Sequence, residues 1–115
     1  MAKPPIASGF SIPWRTAFVE IAGYRNVWCK VSGLVTEGNW SDWAAGDFDV
    51  YMSLALKSFG PDSLIFGSDW PVCTLAATYA DVKAIASRFV ETSSELANRF
   101  FSLNAIDAYR LPTRI

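Results

Sequence analysis

A carboxylate at the end of a β-strand can bind a metal ion or take a proton from water. Asp69 occupies such a place. Leu64-Ile65-Phe66-Gly67 is a short apolar run of buried-strand type, and Ser68-Asp69-Trp70-Pro71-Val72 leads out of it. The same residues suit a turn in which Asp69 only satisfies the backbone, and spacing leaves both readings open. A second strand end, Lys30-Val31-Ser32-Gly33 running into Thr36-Glu37, brings a cation and another carboxylate. Lys30 either lines a site or lays its stem along apolar surface. Glu37 either meets a ligand or is a solvated loop carboxylate. Trp40, Trp43 and Trp70 either wall a substrate or pack their loops against the body of the protein.

The chain contains no histidine. Within one chain this excludes a Ser-His-Asp triad, a Cys-His pair and a histidine-based zinc site. Cys29 and Cys73 do not have the spacing of a zinc ribbon or a redox Cys-x-x-Cys. They are expected to be buried free thiols.

These residues need elements to position them. Pro4, Pro5, Gly9 and Pro13 mark residues 1–13 as loop. Trp14, Phe18, Ile21 and Ala22 then form one apolar helical face, with Gly23 near the end. The β-branched and aromatic run 27–33 predicts a strand, and 34–46 a long ordered loop. A second helix is expected from Asp47, through Phe48, Tyr51, Met52, Ala55 and Phe59, until Gly60-Pro61 stops it. After the strand at Leu64–Gly67, Thr78 and Asp81 form a capping box for a helix to about Phe89. Thr92 and Glu95 predict another box, opening a helix with Leu96, Phe100 and Leu103 inward and a helical tail from Asn104 to Tyr109. Alternating helices and strands predict an α/β fold with parallel strands.

Composition narrows the class. Hydrophobic residues make up 51% and aromatic residues 15%, enough for a packed core in a single domain over residues 1–115. The net charge is −1 and the basic residues are scattered, which excludes a cationic nucleic-acid surface. No apolar run reaches membrane-spanning or signal-peptide length, so a cytoplasmic location is the default expectation.

Phe66-Gly67-Ser68-Asp69-Trp70-Pro71-Val72 resembles the signature of the amidohydrolase-related (amidohydrolase 2) family, which includes sugar-lactone lactonases. Other blocks agree in order. Ala2-Lys3-Pro4-Pro5-Ile6 resembles the segment after the sixth strand of that family's barrel, and 26–37 the seventh strand and its loop. Gly60–Phe66 resembles the approach to the eighth strand, and Asn104-Ala105 with Tyr109 the closing helix. The resemblance implies a partial (β/α)8 TIM barrel, its last two to three β/α units, with an incomplete sheet. It implies hydrolysis of a lactone by a water activated at Asp69, with Lys30, Glu37 and Trp70 lining the substrate. It also implies a divalent metal, typically zinc, in some members. Asp69 would serve as a metal ligand only if histidines came from another segment.

The chain departs from the family in lacking the histidines of the first, fifth and sixth strands. At 115 residues it is also shorter than a whole barrel of roughly 200–250. No cofactor is expected for this chain alone, and little activity. The unpaired strand edges predict self-association or a partner that completes the barrel. A non-catalytic protein that self-associates or binds a sugar-like ligand is the alternative.

Overall fold

The structure, a computed structural model, describes residues 1–113. Its first helix, α1 (Ile12–Ala22), starts where Ser11 accepts a 3.2 Å hydrogen bond from the Trp14 N–H and Pro13 occupies the first turn. Trp14 and Phe18 stack at 4.8 Å and meet Tyr51 and Phe59 of helix α2 (Asp49–Phe59) edge-on. Ile21 continues the same stripe into the groove beside β1, where it is 48% exposed.

Strand β1 (Cys29–Val31) pairs in parallel with β2 (Leu64–Phe66), in the register Cys29–Leu64, Lys30–Ile65 and Val31–Phe66. The ladder extends through Cys29 N–H to Ser63 O and Gly67 N–H to Val31 O. β1 is shorter than the run 27–33 because its pairing ends where Gly33 turns into a left-handed conformation, with φ 71°. Helix α2 crosses between the strands and ends at Gly60 with φ 79°, as its Gly-Pro stop predicts. A 3-10 turn, Ala45–Phe48, precedes α2, so the helix proper starts later than Asp47.

Helix α3 (Tyr79–Val90) opens with the expected Thr78–Asp81 box. Asp81 Oδ2 accepts from the Thr78 N–H at 2.9 Å and the Thr78 hydroxyl at 2.7 Å, while the Asp81 N–H donates to Thr78 Oγ1 at 3.1 Å. Helix α4 (Ser94–Asn98) corrects the reading at Thr92. Its cap is Ser93, whose Oγ accepts from the Leu96 N–H. With the cap one residue later, the third helical residue is Leu96 rather than Glu95, and no reciprocal acidic cap forms.

A wide π-turn, Arg99–Leu103, joins α4 to α5 (Asn104–Tyr109). The extra residue shifts the helical phase. Leu103 is consequently 38% exposed, and Asn104, fully buried, takes the inward position. Phe100 and Phe101 pack around Phe66 at ring separations of 6.1 and 5.1 Å.

The core combines Phe18, Cys29, Val31, Phe48, Met52, Leu64, Val90 and Phe100. Cys29 and Cys73 are buried free thiols, as expected. No helix among the described residues is long and apolar enough to cross a membrane.

Candidate functional site

Both strands deliver their chain to the same end of the sheet, and a cleft of about 380 Å³ opens there. Ser32, Gly33, Thr36 and Glu37 line it from the β1 side, Asp69 and Val72 from the β2 side, and Met1, Ala2 and Lys3 from the N-terminal segment. The size falls in the range of small-molecule sites.

Asp69 is held in a left-handed backbone conformation, φ 57°. Its carbonyl accepts a 2.8 Å bond from the N–H of Cys73, a fully buried residue that anchors the turn. The next N–H, of Trp70, donates to Ser68 Oγ. The Asp69 carboxylate lies over the end of β1, so that a Cβ placed on Gly33 would stand 3.5 Å from Oδ2. Glycine at 33 serves the φ of 71°, while a side chain there would only touch the carboxylate. Among the described residues no protein group hydrogen-bonds to the Asp69 side chain, which leaves both oxygens for water or ligand.

Glu37 lies in a loop tied on both sides. Its N–H donates to Leu34 O, and its carbonyl accepts from Ala7 N–H at 2.9 Å. Further along that loop, Trp43 Nε1 donates to Ala76 O at 2.7 Å, clamping it to the segment after β2. The Trp43 ring sits 5.9 Å from that of Phe48. Trp40, half-exposed, donates to Thr36 O. For Trp43 the packing role is realised.

The structure therefore brings Asp69 and Glu37 into one cleft. Lys30 lies outside its lining, on the edge of an apolar groove between β1 and α1. Its stem crosses towards β2, and a Cβ on Gly67 would meet Lys30 Cε at 3.2 Å and Ser32 Cβ at 2.8 Å. Trp70 is 65% exposed and also outside the cleft lining. Lys3, Ser32, Thr36 and Val72 line the cleft without having been singled out by the sequence. Ser32 lies near the end of the predicted strand and Thr36 just after it, within the strand end read with Lys30 and Glu37, which was a usable signal. Lys3 had none beyond its family block.

Parallel strands joined through a helix, with a polar cleft at their C-terminal ends, have the arrangement of the β/α units of an α/β barrel. The amidohydrolase family profile matches residues 1–111, and the chain belongs to that family. It is 42% identical over 105 residues to an L-fucono-1,5-lactonase of Burkholderia multivorans, covering 86% of this chain and 36% of that protein. It is 40% identical to the L-fucono-1,5-lactonase of Burkholderia ambifaria, covering 96% and 39%. A crystal structure of an amidohydrolase from B. multivorans with bound HEPES superposes with a TM-score of 0.90 at 38% identity, over 96% of this chain and 42% of the other. The chain thus spans about two fifths of the length of the relatives it matches.

A further B. multivorans amidohydrolase structure, with bound zinc, matches at a TM-score of 0.86 and 37% identity. The donors this chain brings to the cleft are the carboxylates of Asp69 and Glu37. Protein zinc sites draw three or four ligands, mostly nitrogen or sulfur. No group of three or more His, Cys, Asp or Glu side chains able to hold a metal exists among the described residues. The thiol of Cys29 is buried, which pushes its pKa up against a smaller opposite pull from the N-terminal ammonium. That favours the neutral thiol over the thiolate a metal needs. The donors of this chain do not by themselves fit a zinc ion.

Proposed function

We propose that this chain forms the C-terminal part of a sugar-acid lactone hydrolase and that Asp69 is its water-activating base. The observation that carries the reading is the unpartnered Asp69 carboxylate, presented across both strand ends in a cleft of ligand size. In this reading a water donates its proton to Asp69 as its oxygen bonds to the lactone carbonyl carbon. The ring C–O bond then breaks, the ring oxygen takes that proton back from Asp69, and an open hydroxy acid leaves with the carboxylate of Asp69 restored. Glu37, Ser32 and Thr36 offer hydrogen-bond partners to the hydroxyls of a polyol. Lys30 and Trp70 would reach such a ligand only over the cleft rim.

One carboxylate does not stabilise the oxyanion that forms on the carbonyl, and that stabilisation usually supplies the greater share of the rate enhancement. Full activity therefore requires groups from outside this chain, and the isolated chain is a weak catalyst at best. The apolar groove beside β1, lined by Trp14, Phe18, Ile21 and Trp28, favours association with a partner or a second copy there. Cytoplasmic residence fits this reading. The alternative, a binding protein without turnover, is favoured by the same shortage of catalytic donors.

The test is hydrolysis of L-fucono-1,5-lactone by the purified chain, with and without added zinc, beside Asp69→Ala. Slow turnover that vanishes in the variant supports the reading. Turnover unchanged by Asp69→Ala removes Asp69 from the role.

A further inference from the structure

Four residues with left-handed backbone meet in the one cleft: Ala2 (φ 55°), Lys3 (φ 49°), Gly33 (φ 71°) and Asp69 (φ 57°). Glycine adopts this conformation freely and aspartate tolerates it, but alanine and lysine do not. Such strain persists only where the surroundings enforce it, and it concentrates at functional sites.

The surroundings of Ala2 and Lys3 are explicit. The Met1 ammonium donates to Lys30 O at 2.8 Å, and Trp14 Nε1 donates to Met1 O at 3.3 Å. On the other side Pro4 is fully buried, Ile6 N–H donates to Pro4 O, and Ala7 N–H donates to Glu37 O. The segment is pinned before and after Lys3, while Lys3 itself stays exposed at the cleft.

Among the described residues Lys3 is the only lysine or arginine lining the cleft, where the other charged groups are Asp69, Glu37 and the Met1 ammonium, the last engaged by Lys30 O. The ion pairs among the described residues, Arg88–Asp49, Arg99–Asp62 and Arg99–Glu95, involve none of these three. An open sugar acid carries a carboxylate at neutral pH, and Asp69 and Glu37 would repel it. A cation at the rim offsets that repulsion.

We infer that Lys3 binds the carboxylate of the open sugar acid, and that the cleft selects an aldonate over the matching neutral polyol. The hydroxyls of the acid then face Ser32, Thr36 and the acidic side chains. The inference rests on reading the cleft as a sugar-acid lactone site, but it does not require this chain to perform the hydrolysis.

The experiment is calorimetric titration of the full chain with L-fuconate and with L-fucitol, for the unsubstituted protein and for Lys3→Met and Lys3→Arg. The expected result is preference for L-fuconate in the unsubstituted protein. Lys3→Met should weaken L-fuconate binding about tenfold or more and leave L-fucitol unchanged, with most of the loss recovered in Lys3→Arg. Equal losses for both ligands would reveal a structural role and overturn the inference. Unchanged L-fuconate affinity in Lys3→Met, or no L-fuconate binding by the unsubstituted protein, would overturn it too. Lys3-dependent L-fuconate binding together with lactone turnover unchanged by Asp69→Ala would instead sink the water-activation role of Asp69 and leave Lys3 in place.

Discussion

The two outer edges of the sheet are finished differently. In a parallel ladder alternate residues turn their N–H and C=O groups to opposite sides. The bonds from Cys29 to Ser63 and from Gly67 to Val31 place those residues inward, so Leu64 and Lys30 face the outer edges. On the β2 edge, Asn104 Nδ2 donates to Leu64 O at 2.8 Å and to Pro61 O at 2.7 Å, and the residue is fully buried. On the β1 edge, among the described residues only the Met1 ammonium meets Lys30 O, beside a groove where Ile21 and Trp28 are 48% and 38% exposed. The chain's own helix caps the Leu64 carbonyl on one edge, and the other edge is left to whatever lies against it. A side-chain amide can stand in for a neighbouring strand, but only where a helix is phased to deliver it.

The largest expected effect comes from breaking the capped edge. Asn104→Ala removes both donated bonds and leaves Leu64 O buried without a partner. The expected loss is about 3 kcal/mol, from two lost hydrogen bonds and a small cavity. A urea titration reads it as a lower midpoint with an unchanged slope. A shift of less than about 0.5 kcal/mol, the size of an ordinary surface change, would mean that Asn104 does not cap the edge. Asn104 Oδ1 has no partner and is itself buried, so the amide contributes through its donor side.

That cap was only half legible in the sequence. The order of helices and strands could be read because its signals are local: an apolar period, a Gly-Pro stop at 60–61, a Thr78–Asp81 box. Asn104 could be placed in a closing helix by resemblance, but its burial depends on the π-turn at Arg99–Leu103, and a plain helical period puts Leu103 inward instead. The site divides in the same way. Asp69 and Glu37 follow strand ends and were visible as candidates. Lys3 reaches the cleft because Pro4 is buried and Ala7 bonds to Glu37 O, contacts between segments far apart in the chain. Lys30 follows strand alternation onto a face that this chain alone leaves uncovered, so its type could not say whether it meets a ligand or a neighbour.

The open edge gives a smaller effect on stability and a larger one on association. Trp28→Lys places a charge at the groove rim, where it stays hydrated. Its folding free energy is expected to change by within about 0.5 kcal/mol, as for a surface substitution. Sedimentation velocity over a concentration series is expected to show self-association in the unsubstituted chain and weaker association in Trp28→Lys. A monomer at every concentration would mean that the open edge does not recruit a second copy.

The smallest expected effect lies away from both edges and sets the scale for the others. Asp81 is held below its ordinary pKa, first by the Thr78 hydroxyl and then by the Thr78 backbone N–H. A carboxylate with a lowered folded-state pKa adds stability that is fully present above its ordinary value of 3.8 and fades as pH falls through the lower folded value. The group is solvent-exposed, so water and salt screen the effect and it stays small. Thr78→Ala removes the hydroxyl and the cap. Its midpoint shift at pH 7 should be roughly a third of that for Asn104→Ala, following the usual size of cap losses. The difference between Thr78→Ala and the unsubstituted protein should narrow as the solution is acidified through the aspartate range. A difference that stays constant with pH would show that α3 is held by packing alone, with the cap charge contributing nothing. Thr78→Ala should not change association, since Thr78 touches neither edge of the sheet.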